Sequence, residues 1–233
     1  MKVQAIKTRI FKEGEDLVKF IISEIPRISD KNIVVVTSKI VSLSEKRTTS
    51  YIKEKSIEKI IRKESQFAIK TKYVWLTIKD GMFLANAGID KSNAKSKIIL
   101  LPKNSFVSAR RIRKLLMDYY KIKNLGIIIS DSRTLPLRAG VVGIALGYTG
   151  FKGIRDYRDK KDLFGRELKF SRTDVADSLA TSAVLLMGEG NERQPLALIK
   201  EASVIFTNKI NTKELYINPK EDMYLPLFKN IKR

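Results

Sequence analysis

Nothing in this chain can staple it through sulfur or imidazole: among 233 residues there is no cysteine and no histidine. The fold must rest on apolar packing, hydrogen bonds and, where ions enter, oxygen ligands. The same two absences exclude Ser-His-Asp and Cys-His nucleophiles, an imidazole general base, zinc fingers, Fe–S clusters and CxxC redox pairs. Catalysis would have to run on carboxylates, hydroxyls, Lys, Arg and bound ions. Any resident metal would be a hard cation such as Mg²⁺, Mn²⁺ or Ca²⁺.

The apolar pattern is that of a packed domain. Hydrophobic residues make up 43% of the chain, enough for a core of its own. Ile33 to Val36 and Leu125 to Ser130 are short β-branched runs, which read as buried strands. Residues 2–7 and Pro195 to Ile199 read as further strands, and Lys97 to Leu101 as another, closed by Pro102. A DG turn at Asp80-Gly81 joins two apolar runs as a hairpin. Helical spacing runs from Leu17 to Ile25, over 54–66, over 105–120 with Ser105 as its cap, and over 173–187 with Val175, Leu179 and Leu186 inward. Helices and strands interleave, yet hairpins are present, so an α+β fold of mixed sheets with flanking helices is expected rather than a strict βαβ winding. A single domain over 1–233 is the expected organisation. The alternative is two lobes, 1–72 plus 195–233 and 73–194. No apolar run of about 18 residues exists, and the start MKVQAIKTRIF lacks the apolar stretch of a signal peptide. Cytoplasmic residence without membrane attachment is therefore expected.

The net charge of +21 has two readings. A pI near 10 suits nucleic acid or another polyanion. Against this, Lys outnumbers Arg 31 to 15 and Ile reaches 29, the signature of AT-rich codon usage. The Lys are scattered rather than massed, and no RNP-type aromatic motif occurs. Nucleic acid therefore ranks below small anionic ligands, although the helix at 105–120 carries Arg110, Arg111, Arg113 and Lys114 on one face.

Three acids lie where an element gives way to a loop. They are Asp90 in NAGIDKSN, Asp131 after GIIIS, and Glu189 in MGEGN. With Ser132 they supply hard oxygen donors for a divalent ion. Taken one at a time, each also reads as a turn residue or cap. Lys39, Arg133 and Arg138 are the basic partners, and each alone also reads as a solvated charge. Gly140, Gly143, Gly147 and Gly150 punctuate the segment after Asp131 and suggest close backbone approach.

In combination the segments say more. NAGIDKSN, the D-S-x-x-x-P-L-R-x-G stretch at Asp131–Gly140, DLFGREL and LLMGEG occur in this order. Together they resemble the coenzyme F-420:γ-glutamyl ligase family, which includes relatives proposed to extend folates. The resemblance runs from about Gly14 to Ile199. It implies an unusual α+β ligase fold, an intertwined homodimer, and GTP- and Mg²⁺- or Mn²⁺-dependent joining of L-glutamate to an anionic carboxylate acceptor through an acyl phosphate. Two divalent ions are implied, with K⁺ as a further candidate. By resemblance Asp90 and Asp131 hold one ion, and Ser132 and Glu189 the other. Asp90, Asp131, Lys39 and Arg138 are the implied catalytic set. Nucleotide contacts map onto Thr8, Arg9, Ile10 and Phe11, onto Ser38 and Lys39, onto Asn93, and onto the loop with Met187, Gly188, Gly190 and Asn191.

Two departures stand out. The family often has Lys where Leu43 stands, a place from which Lys39 or Lys46 would have to substitute. The family's DTFGRPWR is here DSRTLPLR, which keeps the hydroxyl but changes the side chains between. Two other readings remain: a basic nucleic-acid-binding protein, and a nucleotide-binding family member without ligase activity.

Overall fold

The computed structural model describes residues 1–50, 54–92 and 97–228, with only the backbone of Glu54, Lys55 and Phe228. Its contacts divide the chain into two compact units. One comprises 1–51 and 89–212, and the other 52–88 and 213–233.

The first unit is built on a five-stranded mixed sheet. In chain order it contributes β1 (Lys2–Ile6), α1 (Leu17–Glu24), β2 (Asn32–Thr37), α2 (Ser38–Ser44) and β3 (Thr48–Ser50). The second unit then supplies α3 (Glu54–Glu64), β4 (Phe67–Lys70), β5 (Trp75–Lys79) and β6 (Met82–Ala85). The chain returns to the first unit with β7 (Lys97–Ile99), α4 (Ser105–Tyr120), β8 (Leu125–Thr134), β9 (Val141–Thr149), β10 (Ile154–Asp156), β11 (Arg172–Asp174), α5 (Val175–Met187) and β12 (Leu196–Lys200). A short α6 (Leu225–Phe228) lies in the second unit. The expected α+β class with mixed sheets and flanking helices is what the chain adopts.

The main sheet runs β1-β12-β2-β8-β9. Only β2 and β8 are parallel, and the other neighbours are antiparallel. The two parallel strands are the β-branched runs Ile33–Val36 and Leu125–Ser130, buried on both faces as interior strands must be. On one face Val34, Val36, Ile127 and Ile129 meet Phe20 and Ile21 of α1, Ile40 and Val41 of α2, and Ile112 and Leu116 of α4. Each such fully buried side chain contributes roughly 1.5–3 kcal/mol. On the other side α5 packs on β9, β1, β8 and β12. It can come close because its facing residues Ala176, Ala180 and Ala183 are small.

Helix ends follow local chemistry. The Asp16 carboxylate accepts from the Val18 and Lys19 N–H groups and starts α1. The α4 cap is Asn104, which accepts from Val107 N–H, one residue before the Ser105 expected from sequence. Asp174 caps α5. On α5, Val175 and Leu179 are buried as expected, but Leu186 is half exposed and Val184 and Met187 are buried instead. Helical spacing alone does not separate these positions, because the seven-residue step from Leu179 to Leu186 stays on nearly one face; what the last turn packs against decides which side chain is covered. Gly143 and Gly147 on β9 are close-approach positions. A Cβ on Gly143 would lie 2.5 Å from the Val184 side chain of α5, and one on Gly147 2.5 Å from the Ser105 backbone at the start of α4.

In the second unit, Asp80 and Gly81 both have positive φ and turn β5 into β6, with Lys79 opposite Met82. This is the hairpin read from the DG pair. The following NAG segment, polar in sequence, tucks inward. Ala87 is 1% exposed, and its N–H donates to the buried Thr77 hydroxyl, which donates to the Leu84 carbonyl. No helix among the described residues is long and apolar enough to cross a membrane.

Candidate functional site

β2 and β8 run parallel, and their pairing ends at Thr37 opposite Ser130. The segments beyond the two strands therefore open at the same edge of the sheet, where ligand sites of α/β sheets gather. From β2 the chain turns at once into α2, and its first residue, Ser38, donates its hydroxyl to Asp131 Oδ1 at 3.2 Å.

β8 does not stop at Asp131 as the sequence suggested. A bulge between Ile129 and Ser130 shifts the register, and pairing with β9 resumes through Asp131 opposite Ile144 and Ser132 opposite Gly143. Asp131 and Ser132 are thus strand residues, held by ladder hydrogen bonds rather than by a loop. The physical reason is that β9 is long enough to pair beyond the apolar segment, and the bulge absorbs the change from apolar to polar phase.

Three acids converge there. Asp131 sits deepest. Loss of water around its carboxyl is the main effect on its acidity and pushes it up to about 7. The Ser132 N–H and the Ser38 hydroxyl partly oppose this, while the negative charges of Asp90 and Glu189 add to it. Asp90 is held the other way. Desolvation alone would raise it, but Lys39 and Ser92 outweigh that and keep its carboxyl below the ordinary range. The Lys39 ammonium lies 2.7 Å from Asp90 Oδ2 and donates to the Ser92 hydroxyl at 3.1 Å. Glu189, exposed on the loop after α5, accepts from the Ser132 hydroxyl at 2.6 Å.

The sequence-predicted set is therefore largely assembled in one place. Asp90, Asp131, Ser132, Glu189, Ser38 and Lys39 form a connected group within the first unit. The segments expected to contact nucleotide also meet each other, because Thr8 N–H donates to the Arg193 carbonyl at 2.9 Å, joining the 8–11 segment to the loop after α5. Thr37 N–H donates to the Pro195 carbonyl at the far end of that loop. In the loop, Gly188 takes positive φ as the α5 cap, Gly190 N–H donates to Glu192, and Asn191 is exposed.

Other predicted residues are used differently. Phe11 is buried edge-on against Phe20, and Met187 is 3% exposed, so both side chains belong to the core and only their backbones can face a ligand. Arg9 pairs with Glu15 and lies over the Phe20 ring, while Ile10 is exposed. Arg138 is exposed in the turn after β8 and makes no ion pair among the described residues, so the structure does not bring it to the acids. Asn93 lies outside the described residues. Leu43 is half-buried and packs against the core cluster that includes α1.

Sequence reasoning missed Ser92 and Asp177. Ser92 N–H donates to Asp90 Oδ1 at 2.6 Å, a turn that the D-x-S spacing encodes. Asp177 accepts from Ala145 N–H, and burial raises its carboxyl, opposed by that bond and by the Arg133 charge. The Arg133 Nε is buried without a partner among the described residues.

The donor set suits hard divalent ions. It is all oxygen, and a desolvated carboxyl faces two further carboxylates whose mutual repulsion a cation would relieve. Among the described residues no three carboxylates close on a single point. The hydrogen bonds group the oxygens instead as Ser38 with Asp131, Asp90 with Ser92, and Ser132 with Glu189.

Known proteins match this chain along most of its length. The family model for F420-0:Gamma-glutamyl ligase matches residues 5–201. The coenzyme F420:L-glutamate ligase of Methanococcus maripaludis is 35% identical, over 96% of this chain and 97% of its own. That of Methanocaldococcus jannaschii is 34% identical over 95% of each chain, and that of Archaeoglobus fulgidus 31% over 92% of each.

Proposed function

This chain belongs to the F420-0:γ-glutamyl ligase family, and from that premise we propose that it joins L-glutamate to the carboxylate of a deazaflavin coenzyme precursor, using GTP and divalent ions. The observation that carries the reading is the convergence of Asp90, Asp131 and Glu189 at one sheet edge, each paired with a hydroxyl or ammonium. A folate acceptor is the alternative substrate of the same chemistry.

Asp90 and Asp131 would hold one ion, and Ser132 with Glu189 the other. Bound there, the ions supply charge neutralisation between the acids and the phosphates of the nucleotide. The residues of the chain do the rest. The Thr8–Phe11 backbone and the loop after α5 would line the nucleotide, and Lys39 would lend positive charge to the transferring phosphoryl group. The acceptor carboxylate oxygen attacks the γ-phosphorus, and the bond to GDP breaks. The glutamate amine then attacks the acyl carbon, phosphate leaves, and the amine proton passes to a carboxylate or to water. Positioning and charge neutralisation carry most of such a reaction, so it needs no imidazole.

Dimerisation is part of the reading. Leu137, Leu163, Phe164, Phe170 and Leu185 are each at least 80% exposed, more apolar surface than an isolated chain normally leaves open. Sedimentation at micromolar concentration should give twice the chain mass.

The deciding experiment incubates the protein with GTP, Mn²⁺, radiolabelled L-glutamate and either acceptor. Label should move onto the deazaflavin acceptor and stop when EDTA is added. Absence of transfer to either acceptor, together with absence of GTP binding, would overturn the proposal.

A further inference from the structure

At the opposite end of β8 from the acids, the Arg-rich face of α4 borders a cavity of about 260 Å³. Its wall holds Arg110, Arg113 and Lys114, followed by Met117 and Asp118 one turn on, with Thr149 and Asn208 closing it. The three cations sit at i, i+3 and i+4 on the helix and so share one face. Among the described residues Asp118 is the sole acid of this lining.

Arg113 is fixed in place. Its Nε donates to the Leu125 carbonyl and its Nη2 to Asn208 Oδ1, both at 2.7 Å. The rest of its five N–H donors have no partner among the described residues. Because the Asn208 oxygen is occupied, the amide NH₂ is the group that Asn208 has left to offer. Thr149 is 3% exposed, lines the cavity, and has no hydrogen bond to its hydroxyl among the described residues. Among the described residues, the buried side-chain atoms left without a partner lie elsewhere, on Ser42, Ser130 and Arg133, so the Thr149 hydroxyl faces the open cleft rather than a sealed interior. The wall thus combines three cations, an amide and a hydroxyl, nearly all donors, around a space too small for a drug-sized ligand.

We propose that this cleft is a second ligand site, which binds a small oxyanion of the phosphate class. It is distinct from the ligase site. Arg113 is tied to Leu125 at the start of β8, whereas Asp131 lies six residues along the strand, roughly 20 Å away. It also accounts for the basic helix face without nucleic acid, since a compact cleft selects a compact anion.

The test uses the full chain in EDTA, so that no metal recruits phosphate to the acids, and titrates it by calorimetry with orthophosphate and with pyrophosphate. Saturable binding is expected, tighter for pyrophosphate. The exposed pair Arg110→Ala/Lys114→Ala should weaken it about tenfold or more at an unchanged melting temperature. Thr149→Val, nearly isosteric, should weaken it several-fold without loss of stability, an effect that a purely structural Thr149 would not give. The proposal falls if the wild type shows no saturation up to about 10 mM, or if the double variant binds as tightly as the wild type. It also falls if a short single-stranded RNA binds more tightly than pyrophosphate, displaces it, and loses affinity steeply with salt, because the face would then be a nucleic-acid surface.

Discussion

The two ends of β8 differ in charge and in how that charge is held. At the Asp131 end, carboxylates crowd together, two of them hydrogen-bonded by hydroxyls and one paired with an ammonium. At the Leu125 end, guanidinium and ammonium groups gather, and Arg113 is anchored through neutral carbonyl oxygens. On the proposals above, the acidic end would admit an anion only with a cation present, whereas the basic end would need no mediator, and one strand would separate the two.

The comparison breaks most clearly at Asp131. Asp131→Asn should lower glutamate transfer by about 10³-fold or more and abolish Mn²⁺ binding measured by electron paramagnetic resonance. Pyrophosphate binding in EDTA should not change. If the cleft also loses its ligand, the two ends are not independent. Next in size, Lys39→Met removes the partner of Asp90, and transfer should fall about 10²-fold with a raised KM for GTP. A normal KM would move Lys39 out of the nucleotide's reach. The Arg110→Ala/Lys114→Ala pair sharpens the contrast from the other side, with roughly tenfold loss of pyrophosphate affinity and an unaltered Mn²⁺ titration. The smallest effect is at Leu43. Leu43→Lys inserts an ammonium where the side chain packs on the core, and should cost about 1 kcal/mol of stability in urea unfolding without tightening GTP binding. A gain in GTP affinity would mean that the α2 position can still serve the nucleotide.

Much of the scaffold was legible because it is written in strong local signals. The runs at Ile33–Val36 and Leu125–Ser130, the DG hairpin and the Asp16 cap each specify their element within a few residues. The features that escaped depend on partners far along the chain. The continuation of β8 through Asp131 and Ser132 is dictated by β9, and no property of the DSRT segment announces it. Ala87 is apolar but small and set in a polar sequence, so its burial against Thr77 was invisible. The acids of the site were legible as a set through their motifs. The pairing of Ser132 with Glu189, and of Thr8 with Arg193, came only with the fold, since each spans distant segments. Arg138 was read from the same motif as Asp131, and the turn at Leu135–Arg138 leaves it exposed, with no ion pair among the described residues.

The sheet order carries a consequence for how the chain is made. β12 lies between β1 and β2, so the first strand to leave the ribosome has as its neighbour the last strand of the sheet. At roughly 5–20 residues per second, β1 waits on the order of tens of seconds for that partner. During this interval β2 also lacks one neighbour, and the ends of the nascent chain cannot yet form the Thr8–Arg193 bond. The rim joined by Thr8 and Arg193 is therefore completed only once β12 has been made, and a chain truncated before Leu196 should accumulate as an aggregation-prone intermediate rather than as a weakened enzyme.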